Sequence, residues 1–343
     1  MGRPYADLRL VNAPWLAGFE QDLADCLADN CYVLGPAVHR FEEAYGSYIG
    51  TEHCIGVGNA TDALYLILRA LEIGPGHQVL VQAHTCDATW MAIAASGATP
   101  VAVDVRLETL NMNPDLLPGL LTPATRAVVC VHMNGSPCEL DALLTFCKQH
   151  RLPLIEDNAQ ATGATYKGRR TGSFGLAAAH SFYPTKPLGA LGDGGAITTG
   201  DPHLAATIRS LANYGKPAMP GAARLAGINS RLDDLQARFL LRKLPFVDEM
   251  AAERAAQAAC YGRALAGLPV VLQKVLPEAT SAHHLFTVLH PAREALRAAL
   301  AEQGVGTAIH YAQAPHQLPP FAYTDDVAPV AARIARETLS LPL

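Results

Sequence analysis

The sequence has no CxxC pair, no HExxH and no GxGxxG, although its 343 residues include eight cysteines, thirteen histidines and 28 glycines. The first absence argues against zinc ribbons and thioredoxin-like redox pairs, the second against a zincin-type metalloprotease. The third argues against the phosphate-binding turn of a nicotinamide dehydrogenase. No carboxylates and histidines cluster at ligand spacing, so no metal site is expected. Charge is sparse as well: 17% of residues are charged, the formal net charge is −5, and no basic stripe marks a nucleic-acid surface. Every apolar run is broken by a charge, glycine or proline before it could cross a bilayer. The opening MGRPYADLRLVNAPW lacks the basic-then-apolar layout of a secretory signal. A cytoplasmic location without membrane or nucleic-acid partners is expected, and there the cysteines stay reduced. Most of them, such as Cys130 in AVVCVH, sit in apolar context and read as small core residues.

What is present is apolar bulk arranged with two periods. Half of the residues are apolar, enough for a large domain and a smaller one. Strand-like runs lie at 53–58, 78–82, 99–104, 126–133, 152–157, 177–182 and 196–199. Between them, Leu64, Ile67, Leu68 and Leu71 fall at helical spacing, as do Leu140, Leu143, Leu144 and Cys147. Wholly apolar strands alternating with helices predict an α/β fold, a mostly parallel central sheet with helices on both faces. A long helical pattern from Leu232 to about Leu265, interrupted at Pro245, separates a large domain (1–245) from a smaller C-terminal α+β domain (246–343). The second contains LPVVLQKVL, HHLFTVLH and an alanine-rich helix near Ala292–Gln303. Ligands of such sheets bind beyond the carboxyl ends of the strands, and polar residues gather there: Asn59, Glu156, Asp157, Asn158 and Ser181.

Four segments can carry chemistry, and each has a plainer reading. In GVGNATDAL (56–64), a strand runs into a helix capped by Asn59 or Thr61, which offers an anion site or merely a helix cap. In LPLIEDNAQATGA (152–164), a buried strand delivers Glu156 and Asp157, expensive unless something cationic meets them. A protonated pyridine nitrogen would serve; a helix cap at Asp157 is the alternative. In SFYPTKPLGALGDGGA (181–196), Lys186 follows a strand between two prolines, either an amine of depressed pKa suited to imine formation or a surface lysine. GINSRLDDLQA (227–237) sets Asn229 and Arg231 in a turn, where asparagine is common for its own sake.

In this order, from about Leu10 to the C-terminus and with GATPVAVDV, VHMNG, GDGGAITTGD and NYG between them, these segments resemble the sugar aminotransferases of the DegT/DnrJ/EryC1/StrS family, fold-type I pyridoxal-phosphate enzymes. The resemblance implies pyridoxal 5′-phosphate as cofactor, attached to Lys186, with Asp157 on its pyridine nitrogen and Gln160 by its ring oxygen. Ala60, Thr61 and Ser181 would hold the phosphate, and Asn229 would reach it from the second subunit of a homodimer. It implies L-glutamate as donor and a nucleotide-linked ketosugar as acceptor. Related dehydratases carry histidine at the position of Lys186, so lysine favours amino transfer. DATWMAI, SRLDDLQA and HHLFTV suit the branch that aminates C3 of dTDP-linked 3-oxo-6-deoxyhexoses; Trp90 reads equally as core.

The chain also departs from the family pattern. Cys86 stands where an aromatic usually stacks on the cofactor ring, Ala60 replaces a common glycine, Asn134 a tyrosine and Thr162 a frequent histidine. Either the cofactor ring loses that stacking and is retained more loosely, or Trp90, His84 or another side chain fills the gap at Cys86. If Asn134 and Thr162 line the pocket, a different sugar or a cyclitol becomes the acceptor. The sequence ends at LSLPL, earlier than relatives, so an incomplete small domain is expected. The competing readings are a 4-oxo-sugar or cyclitol aminotransferase and a non-catalytic cofactor-binding homologue.

Overall fold

The computed structural model describes residues 4–216 and 226–343. Its centre is a seven-stranded sheet in the order His53–Val57, Gly195–Thr199, Ala177–Ser181, Leu154–Asp157, Thr125–Val131, Gln78–Gln82, Thr99–Val103. All seven strands expected from the sequence are present. Neighbours from Ala177–Ser181 to Thr99–Val103 pair parallel, whereas Gly195–Thr199 runs antiparallel to both strands beside it.

Strand alternation explains why both faces are covered. Val79 and Val81 point to one side, where Leu64, Ile67 and Leu68 of the helix Ala60–Ala70 pack with Ala127 and Val129. Leu80, Val128 and Cys130 point to the other, against Leu140, Leu143 and Cys147 of the helix Leu140–His150. The anticipated helical stripes are buried except at Leu71 and Leu144, which pack partly buried against the same clusters.

The bridge is interrupted where Pro245 predicts. The helix Asp234–Lys243 gives way to a 3₁₀ turn, Leu244–Phe246, and then to Val247–Ala264. Beyond it, Val271–Leu272, Phe286–Leu289 and Thr338–Leu341 form an antiparallel three-stranded sheet under the helix Arg293–Glu302. The C-terminal part is also tied into the large core. Ala331, Ile334 and Ala335 of the helix Pro329–Glu337 join the cluster of Val79 and Trp90. That helix starts on the buried Asp104, whose carboxylate accepts from the N–H groups of Val330 and Ala331 at 2.9 and 2.8 Å. A carboxylate at the first turn satisfies donors that no helical carbonyl can reach.

Candidate active site

The two acids of IEDN separate because successive strand residues face opposite ways. Glu156 is buried inside the protein and serves structure. It accepts from the N–H groups of Gly172, Phe174 and Gly175 at 2.7–2.8 Å and from His132 Nε2 at 2.9 Å. His132 Nδ1 accepts from the Cys138 N–H at 3.1 Å, which leaves Nε2 as the nitrogen that presents a proton to Glu156. Burial raises the cost of the Glu156 charge, but these donors outweigh it and hold the carboxyl below its ordinary value.

Asp157 faces the other way, beyond the strand end. Thr89 Oγ1 donates to its Oδ2 at 2.8 Å and the Ala159 N–H to its Oδ1 at 3.1 Å. Among the described residues no lysine, arginine or histidine lies within ion-pair distance of it. Burial therefore wins and pushes the Asp157 carboxyl above the usual range. A buried carboxylate with no cationic partner suits a cationic ligand group.

The helix Ala60–Ala70 is capped by Asn59, whose side chain accepts from the Asp62 N–H at 2.8 Å; Thr61 is not the cap. Asp62 is held in turn by Ser230 Oγ at 2.6 Å, which also accepts from the Gly58 N–H at 2.9 Å. The Ala60 and Thr61 N–H groups occupy the first two helical positions, which have no intrahelical acceptor. They sit close to Ser181 because Gly195, the register partner of Ser181, carries no Cβ: one placed there would lie 2.6 Å from the Asn59 carbonyl carbon. The donors and the close approach make an anion cradle. Asn229 adjoins Ser230 and bridges Asn213 through its backbone, with its side chain exposed.

Lys186 lies on the loop after Ala177–Ser181, and its Nζ is 3.4 Å from His284 Nε2. Burial holds the amine below the usual lysine value, against the opposing charges of Cys86 and Asp157. On its far side is a cavity of about 740 Å³, lined among others by Tyr5, Pro184, Lys243, Arg254, His284 and His310. Gln160 is oriented by the Asn134 N–H, which donates to its Oε1 at 2.7 Å; Gln160 Nε2 then donates to the Tyr311 hydroxyl at 3.2 Å.

Two expectations change. Thr162 does not line the site: its hydroxyl bonds Tyr45 at 2.9 Å inside a buried network that continues to His180. The Asn134 side chain is likewise committed, donating to Gln273 at 3.0 Å and Thr287 at 3.1 Å. Trp90 follows its plainer reading, fully buried with Nε1 donating to the Gln82 carbonyl at 2.9 Å and its ring against Phe321. Nor does Trp90 fill the gap at Cys86. Cys86 is the first flanking residue of the helix Asp87–Ala95; its thiol donates to Asp87 Oδ1 at 3.3 Å and is pushed up by burial, and the Tyr311 hydroxyl of the C-terminal part faces it electrostatically.

The fold thus brings Asp157, Lys186, Cys86 and Gln160 around one space, with Ala60, Thr61 and Ser181 at its edge. Thr89, Tyr311 and His284 were not identified from the sequence. Thr89 and His284 lie inside quoted motifs, ATW and HHLF, but nothing local says what each faces. This donor set fits a phosphorylated pyridine aldehyde: amide and hydroxyl donors for a phosphate, an acid for a ring nitrogen and an amine for a carbonyl.

Residues 17–343 match the DegT/DnrJ/EryC1/StrS aminotransferase family. Among curated relatives, the dTDP-3-amino-3,4,6-trideoxy-alpha-D-glucose transaminase of Streptomyces venezuelae is 41% identical over 99% of this chain and 90% of its own. The dTDP-3-amino-3,6-dideoxy-alpha-D-galactopyranose transaminase of Aneurinibacillus thermoaerophilus is 40% identical over 99% and 94%. Among solved structures, S. venezuelae DesV superimposes with a TM-score of 0.96 at 41% identity, covering 100% of this chain and 93% of DesV.

Proposed function

The chain belongs to the DegT/DnrJ/EryC1/StrS aminotransferase family and uses pyridoxal phosphate, and we propose that it transfers the amino group of L-glutamate to the C3 ketone of a dTDP-linked 3-oxo-6-deoxyhexose. The observation that carries this reading is the meeting of an unpaired buried acid, Asp157, and a depressed amine, Lys186, in a chain whose two relatives above are named for 3-amino sugars. In this reading residues 1–245 hold the cofactor, and 246–343 form the smaller domain that closes over it.

The bound cofactor supplies an electron sink for the carbon that loses its proton. The protein's residues do the rest. Ala60, Thr61 and Ser181 would hold the phosphate, Asp157 would keep the ring nitrogen protonated, and Gln160 would orient the ring. The Lys186 amine would carry the proton away from and back to the reacting carbons. The test is to offer the aminated enzyme a 3-oxo and a 4-oxo dTDP-deoxyhexose separately and follow the visible cofactor absorption. Rapid recovery with the 3-oxo sugar is expected. Recovery with the 4-oxo sugar alone would overturn the C3 assignment, and none with either would point to a cyclitol ketone.

We also propose a homodimer in which Asn229 completes the partner's phosphate site. Leu16, Leu23 and Leu27 form one exposed stripe on the helix Leu16–Asp29, continued by exposed Tyr32, Val33 and Leu34. Such contiguous apolar surface marks interaction sites. Sedimentation is expected to give a dimer; an active, cofactor-saturated monomer would rule it out.

A further inference from the structure

Among the described residues, the side chain hydrogen-bonded to the Lys186 amine is none of those to which the family resemblance gives a role but His284, delivered by the C-terminal part of the chain. Its segment is fixed from several directions. The Ala282 N–H donates to the Gly135 carbonyl at 2.9 Å, the Leu285 N–H to the Asn134 carbonyl at 3.4 Å, and Arg254 Nε to the Ala282 carbonyl at 2.9 Å. Gly135, at φ +91°, permits this approach: a Cβ there would lie 2.9 Å from the Gln160 carbonyl oxygen and 3.1 Å from the His284 nitrogen. The backbone that orients Gln160 therefore also seats His284, 3.4 Å from Lys186 Nζ and on the wall of the 740 Å³ cavity.

We propose that His284 is a positioning residue for Lys186: its Nε2 accepts a hydrogen bond from Nζ whenever the amine is free, and holds it between the cavity and Asp157. The proposal rests on Lys186 being the cofactor-attaching amine. The charged and titratable groups facing His284 are Lys186, His310 and Arg254, all cationic or basic. Burial first, and then Lys186, hold the imidazole well below its ordinary value, so the ring is neutral and keeps a lone pair for Nζ. An acceptor at this distance favours the ammonium form of Lys186 and limits its rotation. Both effects matter to a group that must take up and return a proton at a fixed place.

The experiment uses the cofactor-free protein and an amine-reactive sulfonate, trinitrobenzenesulfonate, with peptide mapping to read the modification rate of Lys186 from roughly pH 6 to 10. In His284→Leu the ammonium loses its acceptor, so Lys186 is expected to react about threefold or more faster at neutral pH. In the loaded enzyme the same variant is expected to convert L-glutamate about tenfold more slowly, with little change in KM. His284→Gln keeps an acceptor and is expected to bring both readouts back towards wild type. A wild-type modification profile in the leucine variant would overturn the proposal. A glutamine variant as impaired as the leucine variant would overturn it too, since packing alone would then be at stake. If wild-type enzyme does not react with L-glutamate, the donor assignment fails, while the modification profile still decides the role of His284.

Discussion

Lys186→Ala is expected to lose covalently attached cofactor altogether, and its transamination rate should fall by about 10⁴-fold or more. The loss combines the attachment point with the proton carrier, and a single proton-transfer residue alone contributes up to about 10⁴. Borohydride reduction of the loaded wild-type protein should fix the cofactor on the peptide containing Lys186. The competing lysines differ in physical state. Lys167 is exposed and paired with Asp141, and Lys216 is exposed over the Tyr214 ring. Lys243 is the more serious rival, because burial lowers it to about 8 and it lines the same cavity. Its Nζ, however, donates to the Gly189 carbonyl at 2.7 Å. A label recovered on any of these three would refute the assignment of Lys186.

Asp157→Asn is expected to cut the rate by several orders of magnitude while leaving cofactor bound, since an amide cannot hold a proton on a pyridine nitrogen. Each 1.4 kcal/mol lost costs about tenfold, and a desolvated charge interaction is worth a few such steps. The cofactor-free protein should respond in the opposite sense. Burial raises the Asp157 carboxyl in the folded state above its unfolded value. A group raised on folding stabilises below the unfolded value, and that contribution is lost as pH rises through the folded one. Above the carboxylate range the Asp157 charge is therefore a burden to the empty fold. Thermal unfolding at neutral pH should show the cofactor-free asparagine variant at least as stable as wild type, with the difference vanishing in acid. Stability traded for function at one buried acid would explain both results. A variant of normal rate, or one markedly less stable when empty, would move the role away from Asp157.

The legible part of this protein is what adjacent residues encode. Strand and helix periods in Gln78–Gln82, Thr125–Val131 and Leu140–His150 are local, so the apolar positions read from the sequence became the two covered faces of the sheet. The break at Pro245 was equally visible, because a ring in place of an N–H acts on its own turn. The order of motifs likewise placed Lys186, Asp157 and Ser181 at neighbouring strand ends. The antiparallel strand Gly195–Thr199 was not visible, since strand direction depends on partners distant along the chain. The same holds for the surroundings of each site residue. Glu156 and Asp157 are adjacent and chemically alike, yet one meets four donors and the other two. Thr162 turned inward to Tyr45, and Tyr311 and His284 came to Cys86, Gln160 and Lys186 from residues more than ninety positions away. Sequence alone therefore determined the architecture, through short-range periods, and the reaction family, through the order of its motifs, and the same resemblance singled out the acid and the amine. Tertiary structure decided the protonation and partners of that pair, because desolvation and hydrogen bonding are set by whatever the whole chain packs around a group.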